Sequence, residues 1–197
     1  ASDWSSDVCS SDLCAGSVQT MTTYEWIDAD RARIEQGFLS DLLQACVADG
    51  ASIGFTDPQD RATIARFWQQ RAASLAEGEN ELIVARQHER VVGTLTLSAA
   101  VMPNGRHRAE ISKLLVHPAA RRQGIARQLM RLAEQRAQAL GKTLLVLDTR
   151  SGDAATQLYL SLGWQIAGSI PDYAESIAGE PEATTVMFKL LQAQGSA

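Results

Sequence analysis

The feature that most constrains this sequence is a strand, a short loop and a long helix that follow one another between residues 109 and 141. Glu110 to Val116 is an apolar, branched run that predicts a buried strand, and Pro118 ends it. After the loop, apolar side chains recur at the spacing of one helix face, and Gly141 provides a left-handed cap. The positions of that apolar stripe are Ile125, Leu129, Leu132, Ala133, Ala137 and Leu140.

The loop between strand and helix, Arg121 to Ala126, has the composition of an anion site. The start of a helix exposes unpaired N–H groups and the positive end of the helix dipole. Gly124 lacks a side chain where main chain would approach a ligand, and Arg121 and Arg122 add positive charge. From the residues alone, the loop is either a pyrophosphate site or an ordinary turn with solvated arginines.

Two motifs in the chain occur in the order and at the separation typical of one family. The first is Arg-x-x-Gly-x-Ala at residues 121–126, after a strand ending Leu-Leu-Val-His-Pro. The second is Gln157 to Trp164, in which a helix bearing Tyr159 is followed by glycine and an aromatic residue. Together they resemble the acetyl-CoA-binding motif and the tyrosine helix of the GCN5-related N-acetyltransferases, the GNAT superfamily. The resemblance covers roughly residues 24 to 191.

Four segments resemble one branch of that superfamily, the tabtoxin-resistance acetyltransferases. They are Gly50 to Phe55, Pro103 to Gly105, Arg108 to Val116 and Leu147 to Thr149. This closer resemblance suggests toxin or antibiotic resistance, although it does not by itself identify the substrate.

The superfamily resemblance implies a fold and a cosubstrate. The fold class is α/β (α+β), the GNAT fold, with a mixed, mostly antiparallel sheet of about seven strands flanked by about four helices. The cosubstrate is acetyl-CoA: the main chain of Leu114, Leu115 and Val116 pairs with its pantetheine arm. The diphosphate is bound by the loop, namely Arg121, Arg122, Gln123, Gly124, Ile125 and Ala126. Asp153 stands where the family often has asparagine and is a further candidate for coenzyme contact.

Acetyl transfer to an amine requires a proton acceptor for the ammonium and a proton donor for the leaving thiolate. Glu110 is the first candidate base and Asp148 the second, because each is a carboxylate in an otherwise apolar strand, where burial raises a pKa. The alternatives are an ion pair of Glu110 with an arginine such as Arg108 and a cap of the next turn by Asp148. By resemblance Tyr159 is the acid; the alternative is a packed tyrosine with its hydroxyl satisfied.

Two aromatic residues are candidates for binding the acceptor. In the family the first two helices flank the acceptor site, so Phe55 is assigned to the pocket, whereas Trp68 at helical spacing is predicted to be core. Pro171 to Pro181, with Tyr173, is predicted to be a long polar connection that folds over a substrate. Cys46 lies in an apolar helix stripe and is predicted to be a packing residue, which disfavours a covalent acetyl-cysteine route.

The rest of the chain is predicted from its periodicity and its turn residues. Apolar spacing predicts a helix from Arg33 to Asp49, with Ile34, Phe38, Leu42, Ala45 and Cys46 on its buried side. The other predicted elements are an edge strand at Thr22–Ile27, a helix capped by Asp57-Pro58 and reaching Glu77, a hairpin around His88-Glu89, a helix capped by Asp153, and strands at Thr143–Thr149, Trp164–Ser169 and Thr184–Leu190.

The two ends of the chain differ from the middle. Residues 1–20 are rich in serine and aspartate, repeat Ser-Ser-Asp and resemble translated adapter sequence, so we expect a non-native, disordered segment and a native start at Met21. One acetyltransferase domain is predicted over residues 21–192, followed by a tail at 193–197. Two of the three cysteines lie in the first segment, which leaves Cys46 alone and fits a reducing, cytoplasmic location.

Charge and composition narrow the class of partner. A net charge of −5 argues against a nucleic-acid binder, and no apolar run approaches the roughly 20 residues that span a bilayer. The three histidines share no metal-ligand spacing, so no metal is expected.

The predicted function is acetyl transfer to a primary amine of a small molecule, by direct attack in a ternary complex. A protein or peptide acceptor and a non-catalytic acyl-CoA sensor remain as alternatives, and the chain is expected to be a monomer or a homodimer.

Overall fold

The computed structural model describes residues 20–192. Five α-helices and seven strands occur in this range, and short 3₁₀ turns lie before and after the fourth strand. The helices are α1 (Ala29–Ile34), α2 (Gln36–Ala48), α3 (Arg61–Ala76), α4 (Ile125–Ala139) and α5 (Ala154–Ser161). The strands are β1 (Thr23–Ile27), β2 (Asn80–Gln87), β3 (Arg90–Ala99), β4 (Arg108–Val116), β5 (Leu144–Arg150), β6 (Gln165–Glu175) and β7 (Pro181–Leu190).

All seven strands form one sheet in the order β1-β2-β3-β4-β5-β7-β6. Neighbouring strands are antiparallel except β4 and β5, which are parallel. The predicted fold class, a mixed and mostly antiparallel sheet of seven strands covered by helices, is therefore confirmed. The number of α-helices within residues 20–192 is five rather than about four, because the first predicted helix is two helices.

The parallel pair is short, and this shortness opens the sheet. β4 and β5 pair only from Arg108 to Glu110 against Leu144 to Val146. Beyond that point β4 continues to Val116 beside β3, and β5 continues to Arg150 beside β7. Because the two strands separate, the main-chain groups on the inner side of β4 are left for another partner. A bulge in β4 opposite Thr94 and Thr96, where Lys113 has φ +51°, falls in this open stretch.

Helix α4 covers one face of the sheet, and its predicted stripe is buried with one clear exception. Ile125, Leu129, Ala133 and Ala137 are at most 2% exposed, whereas Leu140 is 44% exposed. Gly93 on β3 allows this close packing. A Cβ there would lie 3.1 Å from Ile125 Cγ2 and 3.2 Å from both Leu129 Cδ1 and the Leu115 carbonyl oxygen. The absence of a side chain at residue 93 therefore sets how closely the start of α4 approaches β3.

Gly93→Ala is expected to lower the free energy of unfolding by about 1–3 kcal/mol, because the added methyl group overpacks the contact between α4 and the sheet. Urea denaturation measures this effect. Gly168→Ala on β6 is the control, because a Cβ at residue 168 meets no described atom within 4 Å. Equal stability of the two variants would show that Gly93 does not set the approach of α4.

The other face of the sheet is covered by α2 and α3 around a second apolar cluster. Trp68 is 2% exposed within it, so its prediction as core is confirmed, and Cys46 is equally buried. The prediction of one helix from Arg33 to Asp49 is wrong, because the helix is interrupted at Glu35, which separates α1 from α2. Glu35 is buried and accepts a hydrogen bond from Arg86 Nη2 at 2.6 Å, a long-range pairing that helical periodicity does not reveal.

Three further local predictions are corrected by the structure. Ile34 and Phe38, assigned to the buried stripe, are 77% and 48% exposed, because α1 buries Ala32 and packs mainly against α3, while α2 buries a face that begins at Leu39. The cap of α3 is Asp60, which accepts a hydrogen bond from the Thr63 N–H at 3.0 Å. Asp57, the predicted cap, instead closes a small turn by accepting a hydrogen bond from the N–H of Gln59 at 2.8 Å.

The predicted connection from Pro171 to Pro181 is also wrong, since β6 runs on to Glu175 and β7 starts at Pro181. β6 is an edge strand whose residues are all exposed, so its sequence shows no alternation. Pro171 and Asp172 lie where the β6–β7 register shifts, and Asp172 has φ +50°. Proline lacks an N–H and fits such an irregular edge position.

Candidate functional site

A groove of about 500 Å³ runs along the open side of β4 to the start of α4; we call it the α4 groove. Its floor is the β4 main chain and its far wall is α5. The predicted coenzyme residues Leu114, Leu115 and Val116 all line it. Its other lining residues are Cys46, Ala51, Ala120, Arg121, Arg122, Gly124, Ile125, Ala126, Arg127, Ala154, Ala155, Leu158 and Tyr159.

The first turn of α4 presents free N–H groups to this groove. Gly124 is the N-cap with φ +76°, and no side chain of the described residues caps the helix. The N–H groups of Ile125, Ala126 and Arg127 precede the first intrahelical bond, which Gln128 makes to the Gly124 carbonyl at 3.0 Å. A Cβ at residue 124 would meet no described atom within 4 Å, so the space in front of these amides is open. This geometry suits an anionic oxygen.

The side chains of the loop have different roles from those that the sequence suggests. Arg121 lines the groove but forms an ion pair with Asp49. The Gln123 side chain turns away and accepts a hydrogen bond from Gln87 Nε2 at 2.7 Å. Arg127 lines the groove and donates to Ser161 Oγ at 3.0 Å. The sequence does not point to Arg127, because it lies inside the helix and outside the six-residue motif.

A second cavity, of about 360 Å³, lies where β4 and β5 separate; we call it the β4–β5 cavity. It is bordered by the 111–114 stretch of β4, the 147–150 stretch of β5, and the 51–54 loop that follows α2. The ends of β6 and β7 contribute Tyr173, Ala174 and residues 182–184. The sequence does not reveal this cavity, because its walls come from separate parts of the chain.

Charged groups of both signs line the β4–β5 cavity. Asp148 accepts a hydrogen bond from Thr184 Oγ1 at 2.9 Å. Arg150 lies 3.6 Å from both Asp153 and Glu182. Burial, followed by the charge of Arg71, lowers the pKa of Lys113, while Asp148 and Glu110 oppose that shift. The lining of the cavity therefore contains charged groups of both signs close to one another.

Tyr159 lies between the two spaces. It lines both the α4 groove and the β4–β5 cavity, and so do Leu114, Ala51 and Ala155. Tyr159 is 6% exposed, and its ring lies 6.2 Å from that of Trp164. Burial raises the pKa of the Tyr159 hydroxyl, and Asp153 and Asp148 raise it further. A phenol in this setting keeps its proton at neutral pH and can donate it.

The two candidate bases are placed differently. Asp148 lines the β4–β5 cavity, whereas Glu110 does not. The charge of Glu110 nevertheless acts on the pKa of Lys113 and of Arg71, where it opposes the lowering caused by burial. Both carboxylates are on exposed residues, so the burial expected from their apolar strands is absent. Neither alternative is found in its predicted form within residues 20–192: Glu110 has no ion pair with Arg108, and Asp148 binds a side chain of β7.

The remaining predicted residues are divided between the cavities. Tyr173 and Asp153 line the β4–β5 cavity; Asp153 does not line the α4 groove, to which the resemblance assigned it. Asp153 is at the N-cap position of α5 but makes no capping hydrogen bond with a described residue. Phe55 packs against Phe67 at a centroid distance of 5.5 Å and lines a neighbouring pocket of about 230 Å³.

Cys46 reaches the α4 groove but is a weak nucleophile there. Its Sγ lies 3.5 Å from the Val116 carbonyl oxygen. Burial raises the pKa of the Cys46 thiol to about 11, against an opposing effect of Arg121. Since the thiolate is the reactive form, the thiol is inert at neutral pH.

The part of the chain that the structure describes contains neither a metal-binding cluster nor a membrane-spanning helix. No group of three His, Cys, Asp or Glu residues arranged to hold a metal occurs there. No helix among residues 20–192 is long and apolar enough to cross a membrane.

The fold is that of solved acetyltransferases. A phosphinothricin acetyltransferase of the GNAT superfamily from Sinorhizobium meliloti, solved in complex with AcCoA, superposes with a TM-score of 0.71 at 21% identity, covering 86% of this chain and 88% of that one. The family model "Acetyltransferase (GNAT) family" matches residues 37–164. The chain belongs to the GNAT acetyltransferase family.

Two relatives are similar in sequence. An uncharacterized N-acetyltransferase from Azospirillum brasilense is 32% identical over 136 residues, which cover 66% of this chain and 77% of that protein. N-acetyltransferase 8B from Rattus norvegicus is 39% identical over 87 residues, which are 43% of this chain. The match spans only 39% of the length of the rat protein.

Proposed function

We propose that the chain transfers the acetyl group of acetyl-CoA to a primary amine of a small molecule, by direct attack within a ternary complex. One observation supports this most strongly: the α4 groove and the β4–β5 cavity meet at Tyr159 and Leu114. A thioester held in the groove would then have its reactive carbon at the junction, with the acceptor amine reaching it from the cavity.

Acetyl-CoA fits the α4 groove by its chemistry. The diphosphate suits the free amides of Ile125, Ala126 and Arg127, and Arg122 and Arg127 add positive charge. The pantetheine arm carries two amide groups, which suit the side of β4 at Leu114 to Val116 with which no strand pairs. No step requires a metal, because the thioester is already an activated acyl group.

The proton transfers are assigned from position. Attack forms the bond from the amine nitrogen to the acetyl carbon, and collapse of the tetrahedral intermediate breaks the carbon–sulfur bond. Asp148, which faces the cavity, takes the ammonium proton directly or through water and later releases it to solvent, and Tyr159 donates its proton to the departing thiolate. The second proton, left on the nitrogen of the new amide, passes to the Tyr159 phenolate directly or through water. Glu110, on the same strand as the thioester site but outside the cavity lining, is the less favoured base.

Asp148→Asn is expected to lower kcat/KM for the amine by about 100-fold near neutral pH, where an alkyl amine with a pKa of about 10 is mostly protonated, because a positioned general base contributes on that scale. The loss should become smaller as rising pH deprotonates the amine itself. Glu110→Gln is the matched control and should retain most of the turnover and the same pH profile. Steady-state thiol release across a neutral to mildly alkaline pH series measures both. The reverse pattern would assign the base to Glu110.

The experiment that tests the proposed function is thiol release from acetyl-CoA with a panel of acceptors. The panel contains amino acids, polyamines, aminoglycosides, tabtoxinine-β-lactam and peptides with free N-termini. Saturable release with a small amine supports the proposal. Release with peptides alone would make the chain a peptide acetyltransferase, and tight acetyl-CoA binding without release would make it a sensor.

The finer assignments are parts of this proposal. The likeness to tabtoxin-resistance proteins suggests a toxin or antibiotic amine, and the fold shared with a phosphinothricin acetyltransferase is compatible with it. A cytoplasmic location is proposed because Cys46, the one cysteine among residues 20–192, is a free thiol.

A further inference from the structure

The loop at residues 50–54, between α2 and α3, borders the β4–β5 cavity, the pocket beside Phe55 and the α4 groove. Residues 51–54 line the β4–β5 cavity and the neighbouring pocket beside Phe55, and Ala51 also lines the α4 groove. The loop has no regular secondary structure, and Gly50 and Gly54 both have φ +90°. A short loop of this kind needs outside contacts to keep one conformation.

Lys113 provides the first contact. It occupies the bulge of β4, and its Nζ donates a hydrogen bond to the Ile53 carbonyl oxygen at 2.7 Å. The ammonium lies 5.6 Å from the centroid of the Phe67 ring, and a Cβ at Gly54 would be 3.7 Å from Nζ. Burying an ammonium costs free energy, and the one described hydrogen bond that compensates for it here goes to a carbonyl of the loop.

Arg150 provides the second contact, from the opposite border of the cavity. Its Nη1 donates to the Gly50 carbonyl oxygen at 3.1 Å. Its guanidinium also lies 3.6 Å from Asp153 and from Glu182, which orient it. The two ends of the loop are therefore bonded to the two strands that separate, one end to β4 and the other to β5.

We infer that Lys113 and Arg150 are positioning residues, which hold the 50–54 loop closed over the β4–β5 cavity and thereby determine acceptor affinity. This inference rests on the proposed function, in which that cavity takes the acceptor. The coenzyme depends less on the loop, because only Ala51 of residues 51–54 reaches the α4 groove. Release of the loop should therefore raise the KM for the amine while changing the KM for acetyl-CoA little.

Hydrogen–deuterium exchange of Lys113→Met tests the contact without any ligand. Methionine keeps the length of the side chain and the same backbone strain but cannot donate a hydrogen bond. Amide exchange in residues 50–55 should become about tenfold faster or more, the scale on which a hydrogen bond from a charged group stabilises. Lys113→Arg, which can still donate, should restore slow exchange. Lys142→Met, which removes a lysine bond to the Arg106 carbonyl outside both cavities, is the control.

Kinetics complete the test, with the amine that gives the highest turnover in the thiol-release panel. Lys113→Met should raise the KM for that amine about tenfold, and Lys113→Arg should reverse the change. Unchanged exchange in residues 50–55, or faster exchange with an unchanged amine KM, overturns the inference. If Lys113→Met does not fold, Arg150→Met frees the other end of the loop and is judged by the same criteria. Absence of turnover by the unsubstituted protein contradicts the proposed function, whereas the exchange result still decides whether Lys113 holds the loop.

Discussion

Gly124→Trp is expected to weaken acetyl-CoA binding by about 100-fold or more while leaving the protein folded. Two effects at the N-terminus of α4 contribute to this loss of affinity. A non-glycine residue at φ +76° costs about 1–2 kcal/mol and disturbs the amides that receive the diphosphate. The indole also extends into space that is open in the structure, where no described atom lies within 4 Å of a Cβ. Isothermal titration calorimetry with acetyl-CoA measures the loss, and circular dichroism reports the fold.

Gly141→Trp is the matched control for this variant. Gly141 follows the other end of α4 and has φ +74°, and a Cβ at residue 141 would likewise meet no described atom within 4 Å. The backbone cost and the added side chain are therefore the same, but the change is at the far end of the helix from the α4 groove. An equal loss of affinity in both variants, or none in Gly124→Trp, would remove the diphosphate assignment.

Tyr159→Phe is expected to reduce kcat by about 100-fold or more with little change in either KM, because a general acid acts in the transition state and contributes on this scale. Burial raises the pKa of the Tyr159 hydroxyl above its ordinary value of about 10, so the hydroxyl stays protonated throughout a normal assay. The rate of the unsubstituted enzyme should therefore show no decline from loss of this proton between about pH 8 and 10.

Tyr24→Phe is the control for the removal of a tyrosine hydroxyl. Burial raises the pKa of Tyr24 as well, but this residue lies on β1, at the far edge of the sheet from β5 and β7. Stopped-flow or steady-state thiol release distinguishes the two variants. If Tyr159→Phe turns over as fast as Tyr24→Phe, then Tyr159 is a packing residue against Trp164 and the thiolate takes its proton from water.

The part of the fold that sequence predicts well is the part determined by local chemistry. The strand, loop and helix between residues 109 and 141 combine a branched apolar run, a proline stop, a helical stripe and a glycine cap, and the strand ends and the helix begins and ends where these features predict. The turn at His88-Glu89 is also local, since both residues have positive φ between two strands of strong propensity.

The errors occur where tertiary contacts override local patterns. The break at Glu35 follows from its buried pairing with Arg86, which is 51 residues away in sequence. The predicted end of β6 is too early because an edge strand with both faces exposed has no hydrophobic alternation. Glu110 and Asp148 lie in apolar runs but are exposed. Asp148 lies beyond the paired stretch of β4 and β5, so its side chain borders the opening between them, whereas Glu110 is in the last pair.

The candidate site likewise has one part that local sequence determines and one part that depends on contacts between distant residues. The α4 groove is built largely from one continuous stretch, so its loop is predictable from spacing and glycine. The β4–β5 cavity depends on Lys113 and Arg150 meeting carbonyls of a loop 60 and 100 residues away, and no pattern within the sequence indicates those contacts. Glu182 cannot be found from sequence for the same reason.

A crystal structure with bound coenzyme A tests the central claim most directly. We expect the diphosphate to lie on the amides of residues 124–127, the pantetheine arm to follow β4 from Val116 to Leu114, and the sulfur to end beside the Tyr159 hydroxyl. A coenzyme bound outside the α4 groove, or a sulfur beyond hydrogen-bonding reach of Tyr159, would contradict it.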